Sequence, residues 1–231
     1  MTNTAIVIIA YNNPSLLVKQ VECINKFCTD TYEIWVIDNS TDPEAIEGVR
    51  HHAERLGCSH MKTNASSKGG SESHAFAANI SYLQIKDKYQ YFLYLDHDCF
   101  PIRSFSVTAT LADKVIAGIG QTKSRTYFWP GCVMFHHDEA IDFSTNSKLG
   151  LDTGGNLYKV IDKHGESNCI FFNEEYHQNN QYNGESMYSY YTTINNSMFM
   201  HFINGSGWNK IADNEERINS LINILESRVN G

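Results

Sequence analysis

The chain has 231 residues, 42% hydrophobic and 19% charged, with a formal net charge of −8 and a pI near 5.6. That size and composition suit one large globular domain and exclude a disordered chain. The acidity, with no Lys/Arg cluster, argues against a nucleic-acid partner, and no apolar segment approaches the length of a membrane span.

Residues 5–10 (AIVIIA) form a continuous apolar run that predicts a strand buried on both faces. Tyr11 and Asn12 follow, and then Asn13-Pro14 opens a helix, since Asn caps well and Pro fits the first helical position. Leu16, Leu17, Val21, Ile24 and Phe27 recur at helical spacing. Residues 33–37 (EIWVI) predict a second strand that ends in Asp38-Asn39-Ser40. A second helix follows, with Pro43 near its start, Ile46, Val49, Ala53 and Leu56 on one face, and Gly57 as its C-terminal cap. Residues 58–62 predict a short third strand, 64–70 (NASSKGG) a small polar loop, and 71–85 a third helix. Residues 89–95 (YQYFLYL) are a further buried strand that stops at Asp96, His97 and Asp98.

The first hundred residues therefore read β-α-β-α-β-α-β, the pattern of a mostly parallel sheet with helices on both faces. Ligands of such sheets bind beyond the carboxyl ends of the strands. That rule gathers Tyr11, Asn12, Asp38, Asn39 and Asp96 to Asp98 in one place. Asp96 and Asp98 are two residues apart, so on an extended chain they point the same way and face one ligand. A carboxylate pair of that kind suits Mg²⁺ or Mn²⁺ carrying substrate phosphates, while a strand-to-loop Asp turn accounts for the same residues without an ion.

The second half is less regular. Lys114 to Gly118 and Gly131 to Phe135 predict strands, with the aromatic cluster Tyr127, Phe128, Trp129 and Pro130 before the latter. Leu149 to Gly155 reads LGLDTGG, Asn156 to Lys163 predicts a short helix, and Asn173 to Glu185 a polar loop. Met198 to Ile203 is apolar except for His201 and runs into Asn204-Gly205-Ser206-Gly207-Trp208. Ile218, Leu221, Ile222, Leu225 and Val229 make the apolar stripe of a C-terminal helix, expected to pack on the domain, with a homodimer contact as the other use of such a stripe. Glu215, Glu216 and Glu226 weigh against a membrane surface for it.

In this order the motifs resemble those of a family 2-type glycosyltransferase with the GT-A fold. The resemblance covers roughly residues 5–208. It rests on AIVIIAYNNP, EIWVIDNSTD, the segment Asn64 to Asn79, YLDHD, LGLDTGGNLYKVIDKHG and MFMHFINGSGW. It implies an α/β GT-A domain over 1–231, with a nucleotide-binding half (1–100), an acceptor and catalytic half (101–210) and a C-terminal helix (211–231). It also implies a nucleotide-sugar donor, most simply a uridine one, a saccharide or glycoconjugate acceptor, and Mn²⁺ or Mg²⁺ as cofactor. Under it, Tyr11, Asn12, Asp38, Asn39 and Trp208 contact the nucleotide, Asp98 and His201 bind the ion, and Asp96 touches the ribose or the ion's water. Asp152 is the general base that takes the acceptor proton; an N-cap before the following helix is its other reading, and Glu174, Glu175 and Asp138 stand in reserve. Gly205 to Gly207 would let backbone approach phosphate, with Trp208 as a lid. The missing Gln-Arg-Trp motif and membrane helices of processive synthases favour transfer of a single sugar.

Two rivals remain. A sugar-phosphate nucleotidyltransferase would need a Gly-rich basic loop after the first strand, where this chain has Tyr11-Asn12-Asn13-Pro14. A non-catalytic carbohydrate- or nucleotide-binding module would keep the aromatics Tyr127, Phe128, Trp129, Tyr188, Tyr190 and Tyr191 for stacking. His51-His52 and His136-His137 are read as solvated surface, since adjacent residues point apart. The cysteines Cys23, Cys28, Cys58, Cys99, Cys132 and Cys169 contain no C-x-x-C pair, and the first apolar run is too short for a secretory leader, so a reduced, cytoplasmic protein is expected.

Overall fold

The computed structural model describes residues 3–64, 70–138, 140–184, 189–203 and 214–230. In chain order its elements are β1 (Thr4–Ala10), α1 (Pro14–Phe27), β2 (Tyr32–Asp38), α2 (Pro43–Arg55), β3 (Ser59–Lys62), α3 (Gly70–Ile85), β4 (Tyr91–Asp96) and β5 (Cys99–Pro101). There follow α4 (Val107–Leu111), β6 (Ile116–Thr122), β7 (Thr126–His136), α5 (Tyr158–His164), β8 (Cys169–Phe171), β9 (Glu174–Gln178), β10 (Tyr190–Ile194), β11 (Phe199–Phe202) and α6 (Asn214–Asn230).

A seven-stranded sheet runs β3-β2-β1-β4-β7-β6-β8, and a four-stranded sheet runs β5-β11-β10-β9. In the large sheet β1 pairs in parallel with both β2 and β4, and only β7 runs antiparallel to its neighbours β4 and β6. The alternation along β1 explains why it sits at the centre. Ile6, Ile8 and Ala10 enter one core with Leu17, Val21 and Ile24 of α1, and Ala5, Val7 and Ile9 enter another with Ala77, Ala78 and Tyr82 of α3. A third core joins Leu16 and Cys23 of α1 to Phe100, Met200 and Phe202 of the small sheet and to Leu221 and Leu225 of α6. The apolar stripe of the C-terminal helix thus packs on this core, Leu221 and Leu225 buried and Ile218, Ile222 and Val229 in part.

The first half follows the expected order. Asn13 caps α1 through the Leu16 N–H, Asp42 caps α2, and Gly57 turns the chain after it at φ +71°. The second half departs from expectation in five places. The aromatic cluster 127–130 lies within β7 rather than before it, and the strand expected over Lys114 to Gly118 runs Ile116–Thr122. Pro130 is tolerated because β4 pairs with β7 only from Cys132 onward, and because Ile119 alone faces residues 129–132 between the pairs Gly118↔Val133 and Gly120↔Phe128. The polar loop expected over Asn173 to Glu185 contains β9, an edge strand whose exposure explains its polar sequence. β10 was not anticipated; it turns into β11 through Asn195, Asn196 and Ser197, all with positive φ. His136 and His137 are half-buried rather than solvated: His136 lies edge-on to Tyr91, and the His137 ring meets the Tyr82 hydroxyl at 3.1 Å.

The long segment after β7 is tied to α3 by Asn79, which accepts the Phe143 N–H at 2.8 Å and donates to Ser144 Oγ at 3.0 Å. This tie brings the LGLDTGG segment to the ends of β1 and β4.

Candidate active site

The site forms where the chain leaves one sheet for the other. Asp96 is in register with Ile9 of β1, and Cys99 of β5 pairs with His201 of β11, so His97 and Asp98 make the turn between the two sheets. Gln20, fully buried on α1, clamps this turn: its Nε2 donates to Asp96 O at 2.8 Å and to Cys99 O at 2.6 Å. The Phe202 N–H donates to Asp98 O at 2.9 Å. His201, one residue before Phe202, is thereby set beside Asp98, with Nε2 3.7 Å from Oδ1.

Asp98 is buried, and its Oδ1 has no hydrogen-bond donor. Burial pushes its carboxyl up to about 6, with the neighbouring Asp96 charge adding to the effect and His201 and Arg217 opposing it. His97, between the two acids, is held to about 4 by burial and stays neutral. Two groups each about 2.1 Å from one small divalent cation stand about 3 to 4.2 Å apart, so Asp98 Oδ1 and His201 Nε2 fit a shared ion. Among the described residues no three His, Cys, Asp or Glu side chains gather for a cation. Mg²⁺ and Mn²⁺, which keep positions for water and substrate oxygens, suit a pair of this kind. The Trp129 ring, thrown inward by the bulge in β7, lies 4.8 Å from the His201 ring.

Asp96 is engaged on one oxygen. Its Oδ1 accepts a 2.5 Å hydrogen bond from His74 Nε2 on α3. Burial works against both charges. The pair's mutual attraction outweighs it, holding Asp96 below and His74 above its ordinary value, with Asp98 and Asp152 adding to the latter.

Asp38, fully buried at the end of β2, accepts the Ser40 N–H at 2.8 Å through Oδ1, an Asp turn; its Oδ2 has no donor and lies 3.8 Å from His60 Nε2. Asn39 is also occupied, donating to Ser73 Oγ and accepting from Thr63 Oγ1. Asn12 adopts φ +48° and clips the first loop to the second: its Oδ1 accepts the N–H groups of Thr41 and Asp42. Tyr11, half-buried, is carried by that clip at the mouth of the site.

Asp152 is exposed, and among the described residues its carboxylate accepts the Thr153 N–H at 2.9 Å. It does not cap α5, whose leading positions carry no side-chain cap. Thr153 Oγ1 donates to Ser71 O at 2.9 Å, which sets this segment against the start of α3. The reserve acids lie apart from this geometry: Glu174 and Glu175 are on the edge strand β9, and Asp138 is engaged by Lys163 and His164. Trp208 and Gly205 to Gly207 lie outside the described residues.

Sequence reasoning missed Gln20, His74 and Arg217. Arg217 is fully buried on α6 and donates to Ile203 O at 2.6 Å, just after β11. Its one signal was its place four residues before Leu221 on the apolar stripe, where a cation is out of keeping.

A mostly parallel seven-stranded sheet, covered by helices on both faces and flanked by a small antiparallel sheet, is the α/β architecture that the order of strands and helices in the sequence predicts. No family model matches the chain, and no curated protein matches it significantly. Among solved structures it is similar to the mannosyltransferase PcManGT from Pyrobaculum calidifontis in complex with GDP-Man and Mn²⁺, at 14% identity over 73% of this chain and 54% of that one, with a TM-score of 0.49. It is also similar to TarS of S. aureus, at 14% identity over 64% of this chain and 31% of that one, with a TM-score of 0.43. The chain thus spans about half the length of the first and a third of the second.

Proposed function

We propose that the chain is an inverting, metal-dependent glycosyltransferase that moves one sugar from a nucleoside diphosphate sugar, of the uridine class, to a hydroxyl of a saccharide or glycoconjugate. The observation that carries this reading is the buried Asp98 Oδ1, left without a donor beside His201 at the edge where β1, β2 and β4 end. Such a group costs stability unless something cationic meets it.

In this reading Asp98 and His201 hold Mn²⁺ or Mg²⁺, which when bound neutralises charge on the departing nucleoside diphosphate. A histidine nitrogen in the pair favours Mn²⁺. Asp96, fixed by His74, accepts from a ribose hydroxyl or an ion-bound water. Asp38 Oδ2 lacks a donor, and the imide N–H of a uracil ring supplies one. Tyr11 lies against the base, where stacking tolerates base identity. Asp152, exposed and with its carboxylate bonded among the described residues to its neighbour's N–H, takes the proton of the acceptor hydroxyl as that oxygen bonds to the anomeric carbon. The bond from that carbon to the diphosphate oxygen breaks on the opposite side, and the configuration inverts. The reading keeps the reducing, cytoplasmic setting expected from the sequence. No helix among the described residues is long and apolar enough to cross a membrane.

The test is a thermal-shift panel of nucleoside diphosphates and their sugars, with and without Mn²⁺. A ligand at about 100 times its Kd adds ~2.7 kcal/mol, which raises the Tm of a chain this size by about 5–10 °C. Uridine compounds should do so only with Mn²⁺, and Asp98→Asn should lose the shift while melting cooperatively. If no nucleotide moves the Tm in either condition, or if Asp98→Asn keeps the Mn²⁺-dependent shift, the reading fails.

A further inference from the structure

The two faces of the small sheet have different fates. Side chains alternate along a strand, so residues paired across neighbouring strands share a face. His201 of β11 pairs with Thr192 of β10, and Thr192 pairs with Tyr176 of β9. Tyr190, two residues before Thr192, shares that face opposite Gln178, and Glu174 lies on it two residues before Tyr176. The opposite face is filled, since Tyr191, Met200 and Phe202 enter the core with Leu221 and Leu225 of α6. On the His201 face Tyr176 is the most exposed large apolar side chain among the described residues, at 68%, and Tyr190 is exposed at 38%. The two tyrosines are diagonal neighbours, a spacing within reach of aromatic side chains. Strands lie about 4.8 Å apart, so the Tyr176 backbone is about 10 Å, two strands, from that of His201. Thr192, in register between them, is buried, and its Oγ1 has no hydrogen-bond partner among the described residues.

The charge on this face selects a ligand. β9, β10 and β11 contain no Lys or Arg. The Glu174 charge lies close enough to Tyr176 to push its phenol above the ordinary value, with burial adding to the effect. A phosphorylated or sulfated ligand is repelled there. Sugar hydroxyls can donate to Glu174 and Gln178 while the apolar side of the sugar ring lies on a tyrosine.

We propose that this face is the acceptor subsite, where an uncharged saccharide chain lies across β10 and β9 on the rings of Tyr176 and Tyr190 with its reacting hydroxyl at the His201 end. The inference rests on the transferase reading above and narrows its acceptor to an uncharged glycan that extends past the reacting sugar.

A glycan array probed with the full chain, with Mn²⁺ and UDP present, tests it. The wild type should retain uncharged glycans and leave sulfated and phosphorylated ones. For a retained glycan, Tyr176→Ala and Tyr190→Ala should each weaken binding about tenfold, the loss expected of an aromatic anchor. Tyr176→Phe keeps the ring and should bind as the wild type does. Both tyrosines are exposed, so the alanine variants should melt with the wild type and keep the Mn²⁺-dependent nucleotide shift. Retention of no uncharged glycan, a preference for anionic ones, unchanged affinity in both alanine variants, or a loss in Tyr176→Phe equal to that in Tyr176→Ala overturns the proposal. So does sedimentation in which Tyr176→Ala turns a dimer into a monomer, which would make the β9 edge a contact between copies. If the nucleotide shift is present and no tyrosine-dependent glycan binding is found, this inference alone falls. If tyrosine-dependent glycan binding is found and no nucleotide shifts the wild type, the transferase reading falls and the acceptor role with it.

Discussion

Two glycines of the LGLDTGG segment have nearly the same backbone conformation and very different surroundings. Gly150 has φ +65° and Gly154 φ +78°, both in the left-handed region. A Cβ on Gly150 meets nothing within 4 Å, whereas on Gly154 it falls 2.5 Å from Phe128 O and 2.8 Å from Pro130 Cδ. Gly150→Ala therefore bears only the left-handed cost, ~1 kcal/mol. Gly154→Ala bears that cost and an overlap with backbone that a side-chain rotation does not relieve, a further 1–3 kcal/mol or so. For a chain of this size each kcal/mol is worth about 2–4 °C, so Gly150→Ala should lower the Tm by about 2–4 °C and Gly154→Ala by roughly 5–15 °C. The lesion should also be selective. Gly154 follows Thr153, which fastens Asp152 beside α3, and the Gly154 N–H donates to Phe143 O at 2.8 Å. Moving this residue displaces the candidate base and leaves the strand ends of β1, β2 and β4 in place. Below its Tm, Gly154→Ala should keep Mn²⁺-dependent nucleotide stabilisation and lose sugar transfer. Equal melting temperatures for the two alanine variants would refute the argument from space.

Two further outcomes follow from single side chains. Gln20→Leu leaves Asp96 O and Cys99 O without their shared donor, but it also removes the unpartnered Gln20 Oε1; about 2–4 kcal/mol of lost stability is expected in urea unfolding, and a loss under ~0.5 kcal/mol would mean the clamp contributes nothing. At Asp138 burial favours the neutral acid, but the Ala140 N–H, Lys163 and His164 outweigh it and hold the carboxyl below its ordinary value. Its stabilisation is thus fully present above the unfolded carboxylate range near pH 4 and fades as the pH drops through the lower folded value. The urea midpoints of the wild type and Asp138→Asn should differ at pH 6 and converge near pH 3, and a gap that stays constant with pH would contradict the assignment.

Fold and punctuation were legible wherever a strand was buried on both faces. β1 and β4 read as apolar runs because helices cover both sides, and the helices between them announce their starts with Asn13-Pro14 and Asp42-Pro43. The same logic explains the failures. β9 is an exposed edge, so its sequence, EEYHQ, is indistinguishable from a loop until β10 is seen beside it. β7 hid its first half because a proline does not look like part of a central strand. Only the pairing pattern, with β4 ending at Cys132 and Ile119 alone facing four residues, makes room for it.

The candidate site divides along the same line. Asp38, Asp96 and Asp98 could be found because they close apolar runs, and His201 because it interrupts one. Gln20, His74 and Arg217 sit on helices, where one polar residue per turn is ordinary, and each acts on a group distant in sequence. Gln20 holds two carbonyls of the Asp96–Cys99 turn, His74 holds the Asp96 side chain, and Arg217 holds the carbonyl that follows β11. Such supporting residues carry no periodic signature because their partners are set by tertiary packing. They also decide what the legible residues can do. With His74 in place, the two carboxylates of one short motif have unequal surroundings: Asp96 Oδ1 is engaged by the imidazole, while Asp98 Oδ1 lies without a donor beside His201.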